Sequence, residues 1–242
     1  MKLLSILLLN FTLVSSVDIS CEFTTATWSV IDDIYECNLD SNPSITSPNT
    51  VITSVKGDHL LSKNHENVQG FYSNSEHETI FYIPHGLSKF FPHLILIYIK
   101  NGKILEIHQK DFEQYPKLRF LSLYQNEIKY LEKYLFKFNT ELQYIDFGYN
   151  KINQIHPTIF DHLGQLKFLL FDKNRCIDNG EKDKSGLFEL IKEVKEKCLP
   201  PNFSYFNYLE DLNRKMSNLE TKIESLIKII NKKDKNIEFH NK

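Results

Sequence analysis

LRFLSLYQNEIKYLEKYLFKFNTE, Leu118–Glu141, returns when the window moves by 24 residues. LQYIDFGYNKINQIHPTIFDHLGQ begins at Leu142, LILIYIKNGKILEIHQKDFEQYPK begins at Leu94, and LKFLLFDKNRC begins at Leu166 and breaks off. Aligned, the first column reads Leu94, Leu118, Leu142 and Leu166. The fourth reads Ile97, Leu121, Ile145 and Leu169; the sixth Ile99, Leu123, Phe147 and Phe171. The ninth holds Gly102, Asn126, Asn150 and Asn174; the eleventh Ile104, Ile128, Ile152 and Cys176; the nineteenth Phe112, Phe136 and Phe160. Chance similarity among amphipathic helices does not reproduce six such columns.

A period in the twenties with L-x-x-L-x-L-x-x-N-x-L is the leucine-rich-repeat signature. Columns four and six alternate, so they face one side of a short strand. One copy cannot bury that side, but stacked copies make a continuous core. The Asn column suits a ladder of amides bonding turn backbone that is otherwise unpaired. The Phe column predicts a spine on the convex side. Gly102 interrupts the Asn column, so the first full copy is expected to turn differently. Before Leu94 the register fades: Ile80 and Ile83 fall in column, but Gly70, Ser73 and Ser75 suit strand-core positions poorly. Residues 68–93 therefore read as a degenerate end repeat, with Val68 to Phe71 as a short strand.

The chain opens MKLLSILLLNFTLVSS, one Lys before an apolar run, which reads as a secretory signal peptide cut after Ser16. No later stretch reaches the length of a membrane span, and the polar C-terminus does not resemble a lipid-anchor signal. The mature chain of about 226 residues is one repeat domain plus an appendage. A net charge of −2 argues against a dedicated nucleic-acid binder. Four Cys allow three pairings, and location favours Cys21 with Cys37 and Cys176 with Cys198, each bracketing the repeats. Each bridge contributes roughly 3 kcal/mol in the chain-entropy model. FTTATWSVIDDIYECNL predicts strands with a turn at Asp32-Asp33. That turn sets Cys37 opposite Trp28, so residues 21–27 must fold back if Cys21 is to pair with Cys37.

SNPSITSPN is loop chemistry, and VITSVKGDHLL is a short strand and turn. SGLFELIKEVKEKC places Leu187, Leu190, Ile191 and Val194 at helical spacing, a helix to cover the last repeat. Beyond Pro200-Pro201 the period changes. Tyr205, Leu209, Leu212, Met216, Leu219, Ile223, Leu226 and Ile230 are spaced by four and three, an a/d seam of about 39 Å at about 1.5 Å per residue. Lys215 and Glu220 occupy g and the following e, which suits a parallel partner, either another copy or a related chain. The other readings are a helix folded back on the repeats and a helix lying on a membrane surface through Lys228, Lys232, Lys233 and Lys235. Asn202-Phe203-Ser204 is a glycosylation acceptor at the junction.

The expected fold is α/β: a leucine-rich-repeat solenoid, a short curved parallel sheet with an irregular convex side, disulfide-capped and followed by an α-helical coiled-coil tail. The expected boundaries are signal peptide 1–16, N-terminal cap 17–67, repeats 68–175, C-terminal cap 176–199 and tail 200–242.

No catalytic motif is present, and the nine His are scattered. His65-Glu66 and Glu76-His77-Glu78 fix no metal geometry, so no enzyme, metal or cofactor is expected. Function then rests on surfaces. On the outward face of the strands the third column gives Leu96, Phe120, Tyr144 and Phe168. The fifth gives Tyr98, Ser122, Asp146 and Leu170, and the eighth Asn101, Gln125, Tyr149 and Lys173, with Tyr124 at the seventh. Clustered aromatics on a rigid sheet suit a protein ligand, although cross-strand stacking also stabilises a sheet. Leu96, Tyr98, Phe120, Tyr124, Tyr144, Asp146, Tyr149 and Phe168 are the candidate contact residues. Leu209, Leu212, Met216, Leu219, Ile223, Leu226 and Ile230 are the candidate oligomerising ones.

The signal peptide, CEFTTATWSVIDDIYEC (21–37), GLSKFFPHL (86–94), LRFLSLYQNEI (118–128) and NRCID with CLPP (174–178, 198–201) together resemble secreted insect leucine-rich-repeat proteins over residues 1–200. The added tail is similar in layout to mosquito immune leucine-rich-repeat proteins. Those pair through disulfides and C-terminal coiled coils and hold a complement-like thioester protein in haemolymph. The resemblance implies an extracellular protein-binding role in innate immunity. This tail is shorter and has no Cys, so no covalent link through it is implied. Cell adhesion or matrix organisation is the alternative, and a secreted structural protein the third.

Overall fold

A computed structural model describes residues 15–40, 43–74, 80–181 and 184–240. Residues 1–14 of the expected signal peptide, Ser75 and the Glu76-His77-Glu78 trio lie outside the described residues. The chain divides into two compact units, Met1–Pro200 and Pro201–Lys242.

The first unit is built on one sheet. β1 (Ser16–Trp28) and β2 (Ile31–Leu39) form an antiparallel hairpin, and β3 (Val51–Lys56) runs parallel to β1. β4 (Gly70–Asn74), β5 (Leu96–Lys100), β6 (Phe120–Ser122), β8 (Tyr144–Asp146) and β10 (Phe168–Leu170) continue from β2 as successive parallel neighbours. β11 (Gly180–Glu181) closes the far edge antiparallel to β10. On the return side of the repeats, β7 (Tyr130–Leu131) and β9 (Gln154–Ile155) pair in a small second sheet. Short helices α1 (Leu87–Phe90) and α2 (Gln109–Phe112) also lie between strands. α3 (Lys184–Lys197) buries Leu187, Leu190 and Val194 in the core. Cys198 at its end bonds Cys176 and accepts a hydrogen bond from the Ile155 amide at 2.6 Å.

The columns explain the core. All four first-column Leu and every residue of columns four and six are buried, in or just beyond β5, β6, β8 and β10. Phe112 and Phe136 lie beneath them with ring centroids 5.9 Å apart, and Phe160 packs edge-on against Phe171 at 6.1 Å. Removing so much apolar area from water is the main stabilising term.

The Asn column forms a hydrogen-bonded ladder. Asn150 Oδ1 accepts from the Ile128 amide at 3.1 Å, and its Nδ2 donates to the carbonyls of Leu123 at 2.8 Å and Phe147 at 3.0 Å. Asn126 and Asn174 repeat this pattern on their own neighbours. Each amide side chain satisfies groups of two adjacent copies. Gly102 breaks the column because there is no room for more: a Cβ there would lie 3.0 Å from Asn126 Oδ1 and from the Ile80 carbonyl.

The eighth column has one conformation throughout. Asn101, Gln125, Tyr149 and Lys173 all have φ between 55° and 59°, a left-handed backbone that turns the chain out of the strand. There the amides of Gln125 and Tyr149 reach the carbonyls of Gly148 and Asp172 in the next repeat. Lys173 has no next repeat, and the Asp178 carboxylate takes the carbonyl's place at 2.7 Å.

Two expectations are corrected. The hairpin turns at Ser29-Val30, with Asp32 and Asp33 inside β2. Cys37 therefore faces Phe23 and Cys21 faces Leu39, so the bridge crosses the hairpin diagonally and residues 21–27 need not fold back. In the first repeat, Gly70 pairs with Leu96 and Phe71 with Ile97, which puts Val68 and Phe71 in the buried columns one and four. Ile80 nevertheless keeps its expected column, because the Leu105 amide bonds the Phe81 carbonyl just as the Asn153 amide bonds Lys129. Two extra residues therefore fall between Ser73 and Ile80, and Gly70 and Ser73 are not misfits of a 24-residue copy.

The second unit contains α4 (Tyr205–His240). Leu209, Met216, Leu219, Ile223, Leu226 and Ile230 are each 55–58% exposed, and Ile227 and Ile229 widen the same apolar exposure. Arg214 and Lys215 both pair with Asp211 within the helix.

Candidate functional site

The sheet face opposite the core, here the front face, carries columns three and five. Its residues are not equally open. Leu96 is 0% and Phe120 3% exposed, although no repeat covers them. What covers them is the tip of the β1–β2 hairpin. Ile31 and Ile34 bury themselves against Leu96 and Phe120 in a second apolar cluster, joined by Trp28, Val30, Ile95, Tyr98 and Tyr144. The Trp28 ring reaches across three successive strands, 5.9 Å from Tyr72, 5.5 Å from Tyr98 and 5.2 Å from Phe120.

The reason lies in β2. Ile34 and Glu36 point to the front while Tyr35 and Cys37 point to the core, so both faces of this strand are buried. Consecutive apolar residues at Ile34-Tyr35 are the sequence signal for such a strand, and reading the segment only as a cap missed it. Glu36 is a buried carboxylate, and Trp28 Nε1 donates to its Oε2 at 2.8 Å. Burial raises the Glu36 pKa, opposed in part by this hydrogen bond.

Candidate contact residues therefore divide. Leu96 and Phe120 lie beneath the hairpin and are not open to a partner. Tyr98 is half-buried beside Trp28, and its hydroxyl is pushed up to about 12 by burial and then by Tyr72, Asp146 and Tyr124. Beyond the hairpin, Tyr144 stacks on Phe120 at 4.1 Å and meets Phe168 at 5.7 Å, and both keep part of their surface open. Asp146 is buried and accepts from the Gly148 amide at 2.8 Å and the Ser122 hydroxyl at 3.3 Å. Its carboxylate is used in shaping the sheet. Tyr124 and Tyr149 meet at 5.1 Å along the edge where columns seven and eight turn out, and Tyr149 is 46% exposed. Lys100 Nζ lies 5.4 Å over the Tyr124 ring. A shallow cleft of 270 Å³ opens beside this edge, lined by Asn101, Lys103, Gln125, Asn126, Glu127, Tyr149 and Lys151.

What this arrangement offers is contact area. Among the described residues, no three His, Cys, Asp or Glu converge as metal ligands. No helix among them is long and apolar enough to cross a membrane. Asn202 is exposed in the turn before α4, as a glycosylation acceptor requires.

Parallel strands at a fixed period, an Asn ladder and buried Leu columns define a leucine-rich-repeat fold. In agreement, residues 121–175 match the family model described as Leucine rich repeat. Among solved structures the chain is similar to a chain of the Toll–Spatzle complex, a molecular hub in Drosophila development and innate immunity. The two are 18% identical with a TM-score of 0.41, and the match covers 53% of this chain and 17% of that one. No curated protein matches.

Proposed function

We propose that this chain is a secreted, non-enzymatic binding protein that recognises a protein partner on the uncovered part of its front face. That part comprises Tyr144, Phe168, Tyr124 and Tyr149. The observation that carries the reading is the asymmetry of the face. The chain seals half of its aromatic ladder with its own hairpin and leaves the other half open. Large exposed rings on a rigid sheet contribute much buried area at small entropic cost. Two disulfides support an extracellular, oxidising location.

The tail belongs to the same reading. The exposed a/d positions of α4 form a seam for a parallel helix of another chain, and pairing there would add avidity to a single front-face contact. Innate immune recognition is the favoured role, on the resemblance of residues 1–200 and of the tail layout. Adhesion or matrix organisation is the alternative.

The test is affinity capture from extracellular fluid with the intact chain, the chain ending at Pro200, and Tyr124→Ala with Tyr149→Ala. A partner retained without the tail and lost with the double substitution supports the front face. Recovery of the bait alone, in higher-order form, overturns this reading in favour of a structural protein.

A further inference from the structure

The loop joining β3 to β4 is held at its base by a relay of side chains that no binding role explains. The Leu60 amide donates to Tyr35 Oη at 3.0 Å, Tyr35 Oη lies 2.9 Å from His59 Nδ1, and His59 Nε2 lies 3.1 Å from His65 Nδ1. Both imidazoles sit among aromatic rings. His59 stacks on Phe23 at 3.9 Å, and His65 stacks on Phe91 at 5.8 Å and meets Phe23 edge-on at 5.8 Å. The outer nitrogen of the relay, His65 Nε2, is buried without a hydrogen-bond partner.

The loop held this way carries an unfavourable backbone turn and an exposed apolar tip. Ser62 has φ of 66°, and Leu61 at the tip is 96% exposed. A nitrogen-to-nitrogen hydrogen bond needs one protonated and one bare nitrogen. Two neutral rings supply this at every joint of the relay. One extra proton is accommodated, because the Tyr35 hydroxyl can turn from donor to acceptor. A second sets N–H against N–H across 3.1 Å within aromatic packing, where the part-buried rings are screened by water only in part.

Among the described residues the surroundings are largely apolar. β1 presents Phe23, β2 presents Tyr35, and the segment around α1 presents Phe90 and Phe91. The loop's own charged groups are Asp58, Lys63 and Glu66, and Lys63 Nζ lies 4.5 Å over the Tyr35 ring, adding positive charge. Among the described residues no carboxylate forms an ion pair with either imidazole.

We propose that His59 and His65 form an acid-released clasp. Neutral, they hold the 57–69 loop on the N-terminal hairpin; doubly protonated, they free it, together with Leu60 and Leu61, while the repeats stay folded. Burial and then the neighbouring imidazole lower the His59 pKa in the folded chain. The sign follows: the clasp's stability is whole above the unfolded His value of about 6.5 and is lost as pH falls below it.

Hydrogen exchange on the intact chain at pH 7.5 and 5.0, corrected for intrinsic rates, tests this. Loop amides are expected to exchange at least ~10-fold faster at pH 5.0. Repeat amides should stay unchanged. His59→Phe and His65→Phe, which keep a ring in the nest, should each flatten the response. Equal loop protection at both pH values overturns the clasp. So does loss of protection shared by the repeats, which is global acid unfolding, and so does a pH response kept in both variants. If the variants fail to fold, the wild-type imidazole Cε1 protons decide the matter by nuclear magnetic resonance. Coupled titration with one member below the usual value supports the clasp, and independent titration at ordinary values overturns it.

Discussion

Trp28 and Glu36, on the two strands of the first hairpin, are joined by a 2.8 Å hydrogen bond from the indole to a buried carboxylate. The bond fixes the indole on Tyr72, Tyr98 and Phe120. Trp28→Ala should therefore destabilise the first unit by about 2–3 kcal/mol, below the range for a wholly buried Trp because part of this ring stays in solvent. It should also open Leu96 and Phe120. Denaturant unfolding and binding of an apolar dye are the two measurements, and both should change together.

Glu36 gives a prediction in pH. Burial raises its folded pKa, so the fold favours the protonated acid. The favourable contribution is present below the unfolded carboxyl value and is lost as pH rises through the folded one. Glu36→Gln keeps an acceptor for Trp28 and removes the charge. Compared with wild type, the variant should be more stable at pH 7 than at pH 4, as measured by urea unfolding at the two pH values. A difference independent of pH would contradict the burial argument.

Asn150→Ala strips the Ile128 amide and the Leu123 and Phe147 carbonyls of their side-chain partner inside the core. The expected loss is about 2–4 kcal/mol, since each unsatisfied buried group costs about 1–3 kcal/mol and the backbone relaxes in part. Asn150→Asp should be worse, because a carboxylate would face two carbonyls without a donor. Thermal unfolding of the three proteins should rank them in that order.

Tyr149 separates binding from stability. Its φ of 55° is costly for an aromatic residue. Asn adopts that backbone more easily, so Tyr149→Asn should leave stability within about 1 kcal/mol of wild type despite losing the Tyr124 contact. On the proposed function the same variant should weaken partner binding about tenfold, as truncation of an aromatic contact commonly does. Calorimetry for stability and surface capture for affinity give the two numbers.

Leu219→Lys places a charge in the middle of the α4 seam. Light scattering should then report a lower mass in solution, with the thermal transition of Met1–Pro200 unchanged. Equal mass for variant and wild type would remove the coiled-coil reading of the tail.

The repeat columns were legible because each is a local rule renewed every 24 residues. Leu118, Asn126 and Phe136 meet their counterparts 24 residues away with no need to know the distant fold. The hairpin was not legible in that way. Asp32-Asp33 suits a turn by composition, yet Thr27 Oγ1 bonds Asp33 across the strands and both acids face solvent from β2. The true turn at Ser29-Val30 is set by where Ile31 and Ile34 find apolar cover, which is a tertiary matter. The third column was read as facing outward, and it does, but Leu96 and Phe120 meet the chain's own N-terminal segment there. No periodicity carries that contact, because the hairpin occurs once. The register of the first repeat was lost for a similar reason, since two inserted residues break the counting between Ser73 and Ile80.

Trp28 also sets how this molecule comes apart. Stacked repeats couple only to their neighbours and loosen one at a time from an end. The indole bridges β4, β5 and β6 at once and ties them to the Cys21–Cys37 hairpin, so those strands open or close as a block. β8 and β10 lie outside that block: the Tyr144 ring joins them to Phe120 of β6, but no disulfide hairpin crosses them, and the Cys176–Cys198 bridge closes their far end. Pulled or reduced, the chain should fray from the α3 end toward the hairpin, with β6 as the point where the fraying stops.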